Sequence, residues 1–151
     1  MIVENKYLEE IRKIWEDNNS GYISKDSNEI LIKNNDILKI VYLEDKVPAG
    51  YVGIYTKNDF CSVEGYPDKI DKNDKVVYIW EIIIDKKFAG KGIASKLIEY
   101  VLNKYKNYKV YSCINKNNTP SLNLHKKYGF KDAYQFKDEK DKEQIMLVKI
   151  N

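Results

Sequence analysis

The segment that decides the fold is YIWEIIIDKKFAGKGIASKLIEYVL, residues 78–102. Apolar residues occupy both alternating faces around its first part, which predicts a central strand from Val76 to Ile84 that is covered on both sides. Its second part has an apolar stripe with a helical period, which predicts a helix over about residues 92–105. A strand that leads directly into a helix indicates a βα unit in the middle of the chain.

Glu81 interrupts the apolar strand. An ionised carboxylate buried without partners is very costly, so this position predicts either a cleft open to water or an acid with a raised pKa. Both environments suit a general base that works near neutral pH. The alternative is a Glu on an edge strand or one paired with a lysine.

The turn AGKGIAS exposes backbone at the start of a helix. Gly90 and Gly92 let a ligand approach without a Cβ in the way, and a helix N-terminus offers unpaired N–H donors that suit an anion such as phosphate. The spacing does not fit a P-loop, and Ser95 stands where a dinucleotide fingerprint needs a small third residue. A plain tight turn is the alternative.

The flanking sequence predicts a mixed α/β domain over residues 1–151. Before the central strand we expect a helix over residues 7–15, a helix rather than a short strand within residues 24–35, and a hairpin of ILKIVYL and VPAGYVGIYT. After it we expect a strand KVYSCI, a helix over residues 119–128, and two closing strands, FKDAYQFK and EQIMLVKI. Residues 57–75 read as a long polar loop, either facing a substrate or merely solvated.

Charge and composition limit the classes of partner that this chain is expected to bind. The 26 Lys and Arg residues against 23 Asp and Glu give a net charge of only +3, interleaved along the chain, which disfavours nucleic acid and membrane partners. No apolar run approaches the ~20 residues that span a bilayer, and we expect a cytoplasmic protein, monomer or homodimer. Cys61 and Cys113 lack any zinc-like spacing, so no metal site is expected.

The segment resembles the GNAT superfamily of acetyl-CoA-dependent N-acetyltransferases. Members carry the signature Q/R-x-x-G-x-G/A, whose backbone amides hold the coenzyme A pyrophosphate, and the turn here reads Ala89-Gly90-Lys91-Gly92-Ile93-Ala94. In this interpretation Ala89 replaces the usual Gln or Arg and removes one side-chain contact with the pyrophosphate. A second match lies in NNTPSLNLHKKYGFK, at Asn118, Ser121, Leu124, His125, Gly129 and Phe130.

The resemblance covers about residues 76–134 and implies a GNAT-like acyl-CoA N-acyltransferase fold, a central and mostly antiparallel sheet flanked by helices. It implies that backbone groups at Ile82, Ile83 and Ile84 bind the pantetheine arm. It places the pyrophosphate and neighbouring parts of acetyl-CoA on Ala89, Gly90, Lys91, Gly92, Ile93, Ala94, Ser95, Asn118 and Ser121.

The resemblance also implies catalytic roles. Glu81 would be the general base, and His125 stands where many members have a tyrosine that protonates the leaving thiolate, with Tyr128 as the reserve acid. We expect His125 to face a cleft; the alternative is a half-buried histidine satisfied by a backbone carbonyl.

The implied reaction is direct transfer of acetyl from acetyl-CoA to a primary amine of a small molecule, such as an amino acid, a polyamine or an antibiotic-like amine, without a metal. A non-catalytic coenzyme A-binding sensor and a protein N-terminal or lysine acetyltransferase stay open. Acids of the predicted loop could attract a cationic amine such as a polyamine or an aminoglycoside, but a loop whose acids are merely solvated is the favoured interpretation; they are Asp59, Glu64, Asp68, Asp71 and Asp74.

Overall fold

The computed structural model describes residues 1–72 and 75–151; Asn73 and Asp74, which belong to the predicted loop, lie outside the described residues. These described residues form seven strands, namely β1 (Ile2–Glu4), β2 (Ile37–Glu44), β3 (Val47–Tyr55), β4 (Val76–Ile84), β5 (Lys109–Asn115), β6 (Lys131–Lys137) and β7 (Glu143–Ile150). The helices are α1 (Leu8–Asn18), α2 (Lys25–Lys33), α3 (Phe60–Glu64), α4 (Ile93–Lys104) and α5 (Thr119–Lys127), with a 3₁₀ turn at Lys86–Phe88.

The strands form one sheet in the order β1-β2-β3-β4-β5-β7-β6. In the part of the chain that the structure describes, only β4 and β5 pair in parallel, because α4 carries the chain back across the sheet between them. All other neighbours are antiparallel, which confirms the predicted mixed and mostly antiparallel sheet. None of the helices in the described residues combines the length and the apolar character that a membrane-spanning helix needs.

The structure confirms the predicted hairpin of β2 and β3, and it settles the segment at residues 24–35 as helix α2. Ser24 caps α2 by accepting a hydrogen bond from the Ser27 N–H at 3.0 Å, a signal that favours a helix start over a strand. The prediction of an uninterrupted loop over residues 57–75 is wrong, because α3 lies within it and buries Phe60 against the stacked ring of Tyr78. The short strand β1 was not predicted.

Two apolar cores cover the two faces of the sheet, as the central strand predicted. One lies under α1, α2 and α3 and includes Tyr78 and Trp80 of β4. The other lies under α4 and includes Val77 and Ile79. Burial on both faces explains why β4 reads as a nearly continuous apolar run.

A β-bulge at Trp80 interrupts this alternation. Gly53 of β3 pairs with Glu81, whereas the next residue, Ile54, pairs with Ile79, so Trp80 is an extra residue on β4. The bulge turns Glu81 to the face already occupied by Trp80, towards α2, instead of the α4 face that strict alternation would give it. Gly53 lies opposite this bulge and is closely packed, since a Cβ there would meet Leu31 of α2 at 2.3 Å.

Candidate active site

The parallel strands β4 and β5 stop pairing partway along their length. Their last paired residues are Ile79 and Ser112, although β4 continues to Ile84 and β5 to Asn115. Crevices at the carboxyl ends of parallel strands are the usual binding sites of α/β sheets.

A cavity of about 660 Å³ opens at this point, and we call it the fork cavity. Its walls come from the start of α2, the end of α3, the diverging strands, the start of α5 and the β6–β7 hairpin. Residues of these walls include Ser27, Glu64, Tyr66, Tyr78, Glu81, Ile82, Ser112, Cys113, Asn118, Ser121, Asp138 and Glu139.

Glu81 lies in the wall of the fork cavity with only 4% of its surface exposed. Three side chains donate to its carboxylate. Oε2 accepts from the Tyr51 hydroxyl and from Asn28 Nδ2 at 2.9 Å, and Oε1 accepts from Ser27 Oγ at 3.3 Å. These donors hold the carboxylate in one orientation and satisfy it although it is buried.

Burial raises the pKa of Glu81, and the hydrogen bonds from Tyr51, Asn28 and Ser27 partly offset that rise. The carboxyl group therefore takes up a proton more readily than an exposed glutamate, while its donors still support the ionised form. A base in this condition can remove a proton from a cationic amine.

Glu64 is a second carboxylate on the cavity wall, at the end of α3. Its Oε2 accepts a hydrogen bond from the hydroxyl of Tyr78 at 2.8 Å. Burial raises the pKa of Glu64 to about 7, the Tyr78 and Tyr66 hydroxyls work against this rise, and the charge of Glu81 adds to it. The cavity thus holds two acids whose ionised forms would both gain from a nearby cation.

The predicted acid His125 does not face the cleft, so that expectation is wrong. Its side chain is 0% exposed and packs edge-on against Phe130. Nδ1 lies 2.7 Å from the backbone oxygen of Ser121, and Nε2 lies 2.9 Å from Ser112 Oγ. The alternative of a histidine satisfied by a backbone carbonyl describes Nδ1 correctly, because the helical i, i+4 spacing brings Ser121 beneath the ring.

Tyr128 also lies away from the fork cavity. It follows the last turn of α5, and its hydroxyl donates to Glu99 of α4 at 3.2 Å. Asn118 and Ser121, by contrast, lie in the cavity wall. Asn118 caps α5 by accepting from the Ser121 N–H at 3.4 Å, which explains the position of an asparagine before that helix.

The turn before α4 has the backbone geometry that the sequence predicted. Gly90 and Gly92 adopt φ values of +81° and +69°, in the left-handed region that favours glycine. Gly92 is the N-cap residue of α4, and no side chain of the described residues caps it, so the N–H groups of the first turn point outward. Nearby, Lys96 Nζ contacts the Tyr42 hydroxyl at 3.1 Å.

Ala89 does not occupy the first position of the family signature, so the interpretation that it replaces the usual Gln or Arg is wrong. With Gly90 and Gly92 as the glycines of Q/R-x-x-G-x-G/A, the first position falls on Lys87, three residues before Gly90. Lys87 is exposed in the 3₁₀ turn, where its N–H donates to Asp85 Oδ1 at 3.1 Å. A cationic side chain therefore stands where the family has Gln or Arg.

The predicted residues thus fall into separate groups. The fork cavity contains Glu81, Ile82, Asn118 and Ser121; the turn lies beyond the end of β4, and the side chain of Ile93 is part of the core under α4. Sequence reasoning missed Asn28, Tyr51 and Ser112, each a polar side chain in an otherwise apolar surrounding. Of these three, only Asn28 could have been noticed in the sequence, because it is an amide on the apolar face of an amphipathic helix; in the structure it is buried.

Comparisons with known proteins show which family and which fold this chain shares. A model of the Acetyltransferase (GNAT) family matches residues 4–130. Two Bacillus subtilis proteins are each 26% identical over 153 residues, covering 93% of this chain and 97% of theirs. They are a "Probable spermine N(1)-acetyltransferase" from subsp. natto strain BEST195 and a "Spermine/spermidine N(1)-acetyltransferase" from strain 168. Among solved structures, Arabidopsis thaliana NAA60 in complex with acetyl-CoA superposes with a TM-score of 0.70 at 16% identity, over 100% of both chains.

Proposed function

Because the chain belongs to the acetyltransferase (GNAT) family, we propose that it transfers the acetyl group of acetyl-CoA to a primary amine of a small polycationic acceptor, a polyamine in the first place. The family match and the curated relatives confirm the broader prediction, an acetyl-CoA-dependent N-acetyltransferase. The choice of a polyamine is carried by one observation, the two carboxylates Glu64 and Glu81 in the wall of one cavity.

Charge around the fork cavity favours a cationic acceptor. Its wall has four acids, Glu64, Glu81, Asp138 and Glu139, against two lysines, Lys140 and Lys142. A monoamine would engage one carboxylate and leave the other uncompensated. A polyamine carries several ammonium groups along one flexible chain, so one end can lie at Glu81 while an inner ammonium reaches Glu64. The curated relatives named for spermine and spermidine support the same class.

The proposed position of acetyl-CoA follows from two sets of backbone groups, at the start of α4 and along the edge of β4 that β5 leaves unpaired. The pyrophosphate lies at the start of α4, where the N–H groups of Ile93, Ala94 and Ser95 and the positive end of the helix dipole favour an anion. The arm of the coenzyme then follows the edge of β4 that β5 leaves unpaired, along Ile82, Ile83 and Ile84. This edge leads back from the turn to the fork, which brings the thioester to the cavity.

In the proposed reaction Glu81 acts first. An ammonium group is no nucleophile, so Glu81 removes one proton, directly or through a water molecule. The free amine then attacks the thioester carbonyl, and backbone N–H groups of β4 near Ile82 and Ile84 stabilise the oxyanion that forms. The sequence prediction assigned protonation of the leaving thiolate to His125 or Tyr128; neither side chain lines the cavity.

A thiol-release screen tests the acceptor. The protein is supplied with acetyl-CoA and with spermine, spermidine, a monoamine of similar length, free amino acids, or a peptide with a free N-terminus and a lysine. We expect the highest kcat/KM with spermine or spermidine, and an at least tenfold lower value with the monoamine. Preference for the peptide would contradict the proposal in favour of a protein acetyltransferase, and acetyl-CoA binding with no thiol release would favour a sensor.

A further inference from the structure

Ser112 lies at the fork itself, where the pairing of β4 with β5 ends. It is the last residue of β5 that pairs with β4, it is 1% exposed, and it lines the fork cavity. Ser112 shares its face of β5 with Val110 and Ile114, in the core under α4, whereas Glu81 points to the α2 face. A thioester at the fork therefore has Glu81 on one side and Ser112 on the other.

The hydrogen bonds of His125 determine where its protons are. Nδ1 faces the backbone oxygen of Ser121, which can only accept, so Nδ1 carries the proton of the neutral ring. Nε2 then has a free electron pair, and the Ser112 hydroxyl donates to it across 2.9 Å. The pair thus places, at a residue of the cavity wall, a hydroxyl group that has a proton acceptor directly behind it.

We propose that Ser112 and His125 form a proton relay that moves the second amine proton to the leaving sulfur of coenzyme A. This inference rests on the proposed function, since it requires an amine and a thioester in the fork cavity. Ser112 is the catalytic residue of the relay because it contacts the reacting atoms, and His125 acts only through Ser112.

The protons balance in two stages. Attack of the amine gives a tetrahedral intermediate with a protonated nitrogen and an oxyanion. The nitrogen loses this proton to Ser112 Oγ while the hydroxyl proton of Ser112 passes to His125 Nε2. The carbonyl re-forms from an electron pair of the oxyanion, the carbon–sulfur bond breaks, the thiolate takes the proton of Ser112, and Nε2–H returns a proton to Oγ. The products are the amide and the thiol, with Ser112 and His125 unchanged.

Two properties of the site support this path. Nitrogen and sulfur are bonded to the same carbon in the intermediate, so one hydroxyl can reach both in turn. Burial lowers the pKa of His125, while the Ser121 carbonyl partly opposes this. The ring is therefore neutral at rest, and once protonated it gives that proton back readily.

Kinetics of Ser112→Ala and His125→Gln test the relay with spermine as acceptor. We expect kcat to fall about 100-fold in each variant, with the Kd for acetyl-CoA close to wild type. The melting temperature should fall by a few degrees, because each variant disturbs a buried hydrogen bond. In mixtures of H₂O and D₂O, the wild-type rate should depend on deuterium fraction along a curve, since several protons move, whereas that of Ser112→Ala should be linear. Ser62→Ala, an exposed hydroxyl on α3, is the control. Wild-type kcat and an unchanged curve in Ser112→Ala would overturn the relay.

A second measurement does not need an acceptor. His125 is the sole histidine of the chain, so its ring nitrogens give the only histidine signals in an ¹⁵N NMR spectrum. We expect a protonated Nδ1 and a free Nε2, and a shift of the Nε2 signal on addition of coenzyme A that is absent in Ser112→Ala. An Nε2 signal that ignores coenzyme A would overturn the relay. If no amine releases thiol but the Nε2 signal still shifts with coenzyme A, the result would contradict the proposed acceptor and would support the contact between Ser112 and the coenzyme.

Discussion

Glu81 combines two opposing demands at one position. A base must be ionised to accept a proton, yet burial opposes the charge, and the donors Tyr51, Asn28 and Ser27 restore part of the balance. We expect Glu81→Gln to lower kcat at least 100-fold, because an amide cannot accept the amine proton. The Kd for acetyl-CoA should change less than twofold. Thiol release and calorimetric titration with acetyl-CoA measure the two quantities.

The control for this variant is Glu16→Gln, which makes the same chemical change at an exposed position of α1. It should leave kcat and Kd at wild-type values. If Glu81→Gln keeps full turnover, another group removes the proton. If it loses acetyl-CoA binding as well, Glu81 belongs to the coenzyme site rather than to the reaction.

Lys87 gives a second prediction for a single residue. It occupies the first position of the family signature and is exposed, so we expect any contribution to pyrophosphate binding to be electrostatic. We expect Lys87→Ala to weaken acetyl-CoA binding about three- to tenfold at low salt, and less at high salt. Lys86→Ala removes an exposed neighbouring lysine of the same 3₁₀ turn and should have a smaller effect. Equal effects of the two variants would reduce Lys87 to one part of a diffuse positive field.

For single residues, the sequence pattern identified Glu81 as anomalous but did not identify the side chains that surround it. Glu81 could be predicted as a site residue because a carboxylate inside an apolar strand needs an explanation. Asn28 and Tyr51 lie 53 and 30 residues from Glu81 along the chain, and only tertiary packing brings them to it. The prediction that His125 faces a cleft was wrong for the same reason. Helical spacing predicts which face of α5 carries His125, but it does not predict that β5 packs against that face.

The start of α4 is the element on which coenzyme binding depends in this proposal. Gly92 adopts a φ of +69° as N-cap residue, where an L side chain is strained by about 1–2 kcal/mol. We expect Gly92→Ala to lower the melting temperature by roughly 2–8 °C. It should also weaken acetyl-CoA binding about tenfold, because the new methyl group lies where the pyrophosphate approaches the backbone. Thermal unfolding and calorimetric titration give the two values.

Gly129→Ala separates strain from binding in this prediction. Gly129 has a φ of +87°, and a Cβ there meets only the flexible end of Lys149. This variant should lose similar stability while its Kd for acetyl-CoA stays at the wild-type value. Equal loss of affinity in both variants would show that the effect of Gly92→Ala is general destabilisation.

The bulge on β4 shows what periodicity alone cannot predict for an element. The apolar run correctly indicated a central strand, and alternation from Val77 and Ile79 would place Glu81 on the α4 face. The extra residue Trp80 turns the side chain of Glu81 to the α2 face instead. The Nε1–H of Trp80 also donates to the Ser27 carbonyl at 2.9 Å, which holds the start of α2 over Glu81. A bulge depends on pairing with β3, so the pattern of β4 by itself contains no sign of it.

For the whole molecule, the order of elements was sufficient to predict the mixed sheet. One βα unit between two sets of paired strands permits few topologies. The cavity was not predictable, because it exists where the β4–β5 pairing ends, a property of strand direction and twist rather than of any local pattern. The acids of residues 57–75 were predicted as a group, and of them Glu64 lines the cavity because α3 buries its own apolar side against Tyr78.

The acidic cavity affects the stability of the free protein. Glu64 has its pKa raised to about 7 from 4.5, so the folded state holds this proton more tightly than the unfolded state. The resulting stabilisation is complete below pH 4.5 and is lost as pH rises through about 7. The shift corresponds to at most about 3 kcal/mol, and roughly 2 kcal/mol after a discount for the solvent-accessible part of the carboxyl group.

Glu64→Gln should remove this contribution, because the amide does not titrate between pH 4.5 and 7. We therefore expect thermal unfolding of wild type, measured without ligands across pH 4.5–8, to show a decline of several degrees that is reduced in Glu64→Gln. Glu10→Gln, at an exposed position of α1, should decline like wild type. Equal declines in Glu64→Gln and wild type would mean that Glu64 is solvated in the free protein. Its carboxylate would then gain little from a second ammonium group, and the argument for a polyamine would lose its main electrostatic support.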